Sequence, residues 1–192
     1  MMKRLVVMMM TLPLIGACGK SQDASGTKAE NKVAAAAPAS ASAPAPAAEA
    51  PIALTETADL GKAITDPDEK SFVGLKAKTP KGATIEAGLT GVTIKVGDSG
   101  FEIAKEFEPG AVAKAKDEAK ADTLDKLVKL HLDTPSAILW ETASELGGPN
   151  DFQFAAEVKV GDATYKCGSK GWGKHTKAQA EALLASCQSV TK

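Results

Sequence analysis

Histidine, aromatic residues and net charge are all scarce in this 192-residue chain. It has two histidines, one tyrosine, two tryptophans and five phenylalanines, and a formal charge of −1. A near-neutral chain has no global field to hold a nucleic-acid backbone and no strong acidic bias. His131 and His175 leave few ways to build a base beside a serine, and no GxSxG elbow occurs. Neither CxxC nor HExxH spacing is present. A metal site would have to draw both histidines and two cysteines together from distant positions, so no metal is expected. No apolar run reaches the roughly 20 residues that a membrane-spanning helix needs.

What the chain does have begins at residue 1. Lys3 and Arg4 are followed by an apolar run over residues 5–15, interrupted by Thr11 and Pro13. Small residues then lead into Ile15-Gly16-Ala17-Cys18. A charged start, a short apolar core and small residues are the pattern of an export signal. The four residues resemble the lipobox of bacterial lipoproteins: an aliphatic residue, two small residues and cysteine. The resemblance covers residues 1–18. It implies that Cys18 receives a diacylglyceryl group, that residues 1–17 are a signal peptide removed before it, and that the lipid anchors the protein to a membrane. Gly19, where Asp would favour retention in the inner membrane, implies an outer-membrane location, facing the periplasm or the cell surface. Two or more acyl chains suffice for stable anchoring.

Residues 18–58 read as the lipidated cysteine and a disordered tether. The stretch 33–51 is nearly all Ala, Pro and Ser, without an aromatic residue. It carries too little bulky apolar surface to offset chain entropy. Its prolines block a long alanine helix. Such a tether spans roughly 35 Å on average and about 120 Å when extended.

Residues 59–192 read as one α+β domain, an antiparallel sheet packed by a long middle helix and a C-terminal helix. Strands are expected around residues 72–77, 83–87, 91–96, 101–105, 137–142, 152–160 and 163–167. Gly97-Asp98 and Gly161-Asp162 mark hairpins. Residues 109–132 are rich in Ala, Lys, Glu and Leu, and Leu124, Leu127, Val128 and His131 share helical spacing, predicting the middle helix. Thr176 with Gln179 reads as a capping box opening the last helix. Its apolar face is Ala180, Leu183, Leu184, Cys187 and Val190. Once Cys18 is assigned to lipid, Cys167 and Cys187 remain as an even pair in an oxidising compartment, which predicts a disulfide stapling strand to helix. The arrangement has a general likeness to small periplasmic sandwich domains. No motif carries that likeness, so it implies no function.

The segment 168–176 (GSKGWGKHT) has Gly168, Gly173 and Lys174 at phosphate-loop spacing. His175 stands where the loop needs Ser or Thr for magnesium, and too little chain follows for an acidic partner strand, so no nucleotide is expected. The same region carries Lys166, Lys170, Lys174 and Lys177 with no acid over residues 163–180. With Trp172, these lysines form a candidate face for an anionic or lipid ligand. Carboxylate clusters such as Glu102, Glu106 and Glu108, or Asp117 and Glu118, suit a glycosidase dyad only if two face each other across a cleft. The function expected is a non-catalytic interaction or binding module. It would present a face to an envelope protein or cell-wall polymer, and it needs no cofactor. A carrier or sensor of a small anionic or lipid ligand is one alternative, and an envelope enzyme with an unrecognised site is the other.

Overall fold

The computed structural model describes residues 50–65, 70–88, 90–106, 109–169, 171 and 173–192. Residues 1–17, Cys18 and the tether up to residue 49 lie outside them. Among the described residues, nine strands and two α-helices follow in chain order: β1 (Leu54–Asp59), β2 (Lys76–Pro80), β3 (Thr84–Ala87), β4 (Gly91–Val96), β5 (Ser99–Glu106), α1 (Ala111–Ala121), β6 (Asp125–Thr134), β7 (Ala137–Ser144), β8 (Asp151–Val160), β9 (Ala163–Gly168) and α2 (Lys177–Gln188). The α+β class therefore holds. β1 opens at Leu54, so residues 54–58, expected in the tether, belong to the domain.

β3 to β9 form one antiparallel sheet in the order β3-β4-β5-β9-β8-β7-β6, and β1 pairs with β2 in a separate ribbon. Both glycine turns make two-residue hairpins: Val96 pairs with Ser99, and Val160 with Ala163. Gly97 and Gly161 have φ of 60° and 62°, the left-handed backbone that such turns require.

Alternation along the central strands builds two cores. Ala137 and Leu139 of β7, with Phe154 and Ala156 of β8, face Phe101, Ile103, Tyr165 and the apolar side of α2. Ile138 and Trp140, with Ala155, face the opposite way and meet Val112 and Ala119 of α1. Successive strand residues point to opposite faces, so α1 and α2 lie on opposite sides of the sheet. The β1–β2 ribbon shares the α2 side through Ala77, and Leu60, Phe72 and Leu75 from the chain between its strands join the same core.

The C-terminal helix matches its sequence signals. Thr176 and Gln179 form the reciprocal capping box, and all five residues of the expected apolar face are buried. Burying Leu183 and Leu184 contributes on the order of 2 kcal/mol each. Cys187 on this face is bonded to Cys167 at the end of β9, with Cα atoms 6.2 Å apart.

The long middle helix is corrected. α1 ends at Ala121, and residues 125–134 are strand β6. Asp122 makes the switch: it takes extended backbone, and its carboxylate accepts the N–H groups of Leu124 and Asp125 at 3.0 and 3.1 Å. That turn does not restart a helix. The misleading periodicity has a cause. The β6–β7 register slips between Leu127 and Lys129 and again between Leu130 and Leu132. Each bulge adds a residue, so half-buried Leu127 and Leu130 fall three apart, as on a helix. Leu124 and Val128 are exposed, at 66% and 53%.

Removing the disulfide tests its share of stability. A Cys167→Ala, Cys187→Ala double variant should lose about 3 kcal/mol, the loop-closure value for this separation. Its melting temperature should drop by about 10 °C. Calorimetry showing no drop would mean that the core holds α2 unaided.

Candidate functional site

Among the described residues α1 packs chiefly on β6, β7 and β8, to one side of β5 and β9. Between α1 and these two strands lies a groove of about 720 Å³. Its floor is made of small residues: Ala104 on β5, Gly168 on β9 and Ala155 on β8. The wall facing them is the alanine stripe Ala111, Ala115 and Ala119 of α1. Residues four apart share a helix face, so these alanines form one wall, and Lys114, Glu118 and Asp122 form the adjoining rim. Trp140 adds an aromatic surface. The volume lies within the range of small-ligand sites, roughly 300–1,000 Å³.

The groove follows α1 along its length. At the helix start, Gly110 has φ of 109° and no side-chain cap of its own. Glu157 of β8 substitutes, one carboxylate oxygen accepting from the N–H groups of Gly110 and Val112 at 3.2 Å each. Glu106 accepts from the N–H of Ala111, and its other oxygen is buried without a partner. Burial first, and the Glu157 charge second, hold the Glu106 carboxyl above its ordinary value; Lys166 and the Ala111 N–H oppose them. Lys114 and Lys166 line this end, while Lys105, paired with Tyr165, turns its side chain to the α2 face. The far end is acidic, with Glu118, Asp122 and Asp125. Thr142 stands there, 3% exposed, its hydroxyl without a partner.

The predicted lysine face is divided by the fold. Lys166 lines the groove. Lys174 lines a separate hollow of about 260 Å³ with Asp151, Ser144 and Gly173. The two hollows meet at Asp125 and Gln153, which line both. Lys177 starts α2 and pairs with Glu181 at 3.3 Å on the exposed surface. Lys170 and Trp172 lie outside the described residues, as does Glu108. Glu102 and Glu106 both line the groove but sit on the same face of one strand, four residues apart, so they stand side by side and not across a cleft. A glycosidase pair instead flanks its bond from two sides.

Among the described residues, no group of three or more His, Cys, Asp and Glu is arranged to hold a metal. His131, expected on a helix face, is on β6, 2.9 Å from Glu141 and against the ring of Phe152. That contact, with the Asn150 amide, holds the Glu141 carboxyl below its ordinary value. His175 is buried, with both ring nitrogens unpartnered and Nδ1 3.7 Å from Asp151. Burial pushes the Asp151 carboxyl up. The His175 side, including its backbone N–H at 2.6 Å, and the Gln153 amide pull it further down, and the net direction is down.

The alanine stripe of α1 was present in the sequence as a four-residue spacing. Glu106 and Gly168 were marked in the sequence only as parts of a carboxylate cluster and a glycine-rich segment, and Thr142 had no local signal, because only the sheet order brings their strands together. No protein-family model, curated protein or solved structure matches the chain.

The raised Glu106 carboxyl gives a test. A carboxyl whose folded value exceeds its unfolded one destabilises the fold where it is ionised, and protonation relieves the cost. Glu106→Gln should therefore melt higher than the wild type at pH 7. The gap should close as pH falls towards about 4.5, the ordinary glutamate range. An equal gap at both pH values in thermal melts would show that Glu106 is not strained by its charge.

Proposed function

We propose that this protein is a lipid-anchored, non-catalytic binding module of the cell envelope whose ligand lies in the groove between α1 and strands β5 and β9. The observation that carries this reading is the groove: small residues on both of its walls hold apart surfaces that bulkier side chains would have closed. A protein that only needed stability would gain by filling that space, since packing to native density is favourable. The export-signal pattern and Cys18 supply the membrane attachment. The Ala/Pro stretch supplies reach from the bilayer to a partner or polymer.

The alternative of a small-anion site at the Lys166–Lys177 face narrows to Lys166. Lys174 lines a different hollow and Lys177 faces solvent with Glu181.

Two measurements test the proposal. Labelled palmitate should enter the wild type and not a Cys18→Ser variant; equal labelling would remove the lipid anchor. A photo-crosslinking residue at position 114, on the groove rim, should capture a species in cells that the same residue at exposed position 62 does not. Ala104→Phe, which fills the groove, should abolish that capture. Identical capture from positions 62 and 114, or capture that survives Ala104→Phe, would sink the groove as the binding site.

A further inference from the structure

We infer that the groove takes a small organic monocation, its ammonium group held between Asp125 and Thr142 at the end of α1 and its uncharged body lying along the alanine wall. The inference rests on the binding-groove reading and gives its ligand a chemistry. Thr142 is the residue that points to a ligand. It lines the groove, is 3% exposed, and its hydroxyl is buried without a partner. A buried polar atom left unmatched is costly, and the great majority find a partner. Two carboxylates share its face of the sheet. Asp151 pairs with it directly from β8. On the other side Leu127 of β6 pairs with it, and Asp125 lies two residues along that strand, on the same face. Asp125 lines both the groove and the adjoining hollow. Among the described residues its carboxylate has no hydrogen bond or ion pair. Asp122, by contrast, is taken up by the turn after α1.

The charge at this corner favours a cation. Asp151 already accepts from the His175 N–H and the Gln153 amide, which leaves Asp125 as the open acceptor. Lys174 in the adjoining hollow offsets one of these two carboxylates and not both. The end of α1 adds the negative pole of the helix dipole. A hydroxyl offers lone pairs to an N–H donor, so Thr142 and Asp125 together suit an ammonium group. The opposite end of the groove asks for no charge, because Glu106 and Glu157 stand there against Lys114 and Lys166. Between the ends, Ala104, Ala115, Ala155 and Gly168 present methyl groups and backbone, a surface for a slim apolar body.

The test uses the 192-residue chain with Cys18→Ser and three probes of one shape: n-hexylamine, protonated at pH 7, its neutral counterpart hexan-1-ol, and the anion hexanoate. Backbone-amide NMR at Ala104, Thr142 and Gly168 reads occupancy. Hexylammonium should shift all three amides. Hexan-1-ol should bind about tenfold more weakly, the scale of a hydrogen bond to a charged group, and hexanoate more weakly still. Asp125→Asn should weaken hexylammonium about tenfold and leave hexan-1-ol unchanged. Thr142→Val should also weaken hexylammonium while melting no lower than the wild type, since the lost hydroxyl had no partner in the free protein. A lower melting temperature would mean that Thr142 serves the fold and not the ligand, which overturns its role. If the three probes bind the groove equally, or Asp125→Asn leaves hexylammonium binding unchanged, recognition of the ammonium is overturned and the groove survives as a site. If calcium chloride shifts the Thr142 amide and hexylammonium does not, the corner holds a metal ion instead. If no probe shifts those three amides, the groove reading itself fails.

Discussion

Strands β7 and β8 carry apolar side chains on both faces, and the rest of the domain is arranged around that constraint. A strand cannot turn its alternate residues to one side, so Ile138 and Trp140 need a cover that Ala137 and Leu139 cannot share. α2, with the β1–β2 ribbon, covers one face, and α1 covers the other. The disulfide ties α2 to the sheet at β9. α1 has no such staple. It is held by Val112 and Ala119 against Ile138 and Trp140, by the ion pair between Lys116 and Asp133, and by Glu157 at its start. The two helices thus differ in the number of interactions that fix their position.

The groove follows from the placement of α1 over β6 to β8 rather than over the middle of the sheet. Trp140 and Ile138 are the large residues on that face, and they draw the helix towards β7. Beyond them the face falls away to Ala155, Gly168 and Ala104, and the helix answers with alanine at every fourth position. Glu157, opposite Lys166 in the β8–β9 register, then sets where the helix begins. One carboxylate therefore both caps α1 and raises the charge cost of Glu106 beside it.

Much of the fold was legible where local chemistry and tertiary demand agree. The Gly-Asp hairpins, the capping box at Thr176 and Gln179, and the pairing of Cys167 with Cys187 all rest on neighbouring residues or on elimination. The middle helix was misjudged where the two disagree. Bulges at Val128 and His131 gave a strand the spacing of a helix, and Asp122 ended α1 through a side-chain contact that the apolar pattern does not register. The lysine candidates show a related point: closeness in sequence is not closeness in space. Lys166 and Lys174, eight positions apart in sequence, line different hollows.

By itself the sequence determined what depends on near neighbours: the export-signal pattern with its lipobox-like end, the Ala/Pro stretch, the hairpins, the last helix and its apolar face. Those features need only the chemistry of a few consecutive residues. Tertiary structure alone decided that β5 and β9 stand side by side, that α1 packs chiefly beside them, and that Glu106 and Thr142 bound one groove although 36 positions separate them. Strand order is settled by which apolar faces close most completely, a property of the whole sheet that no window of sequence contains.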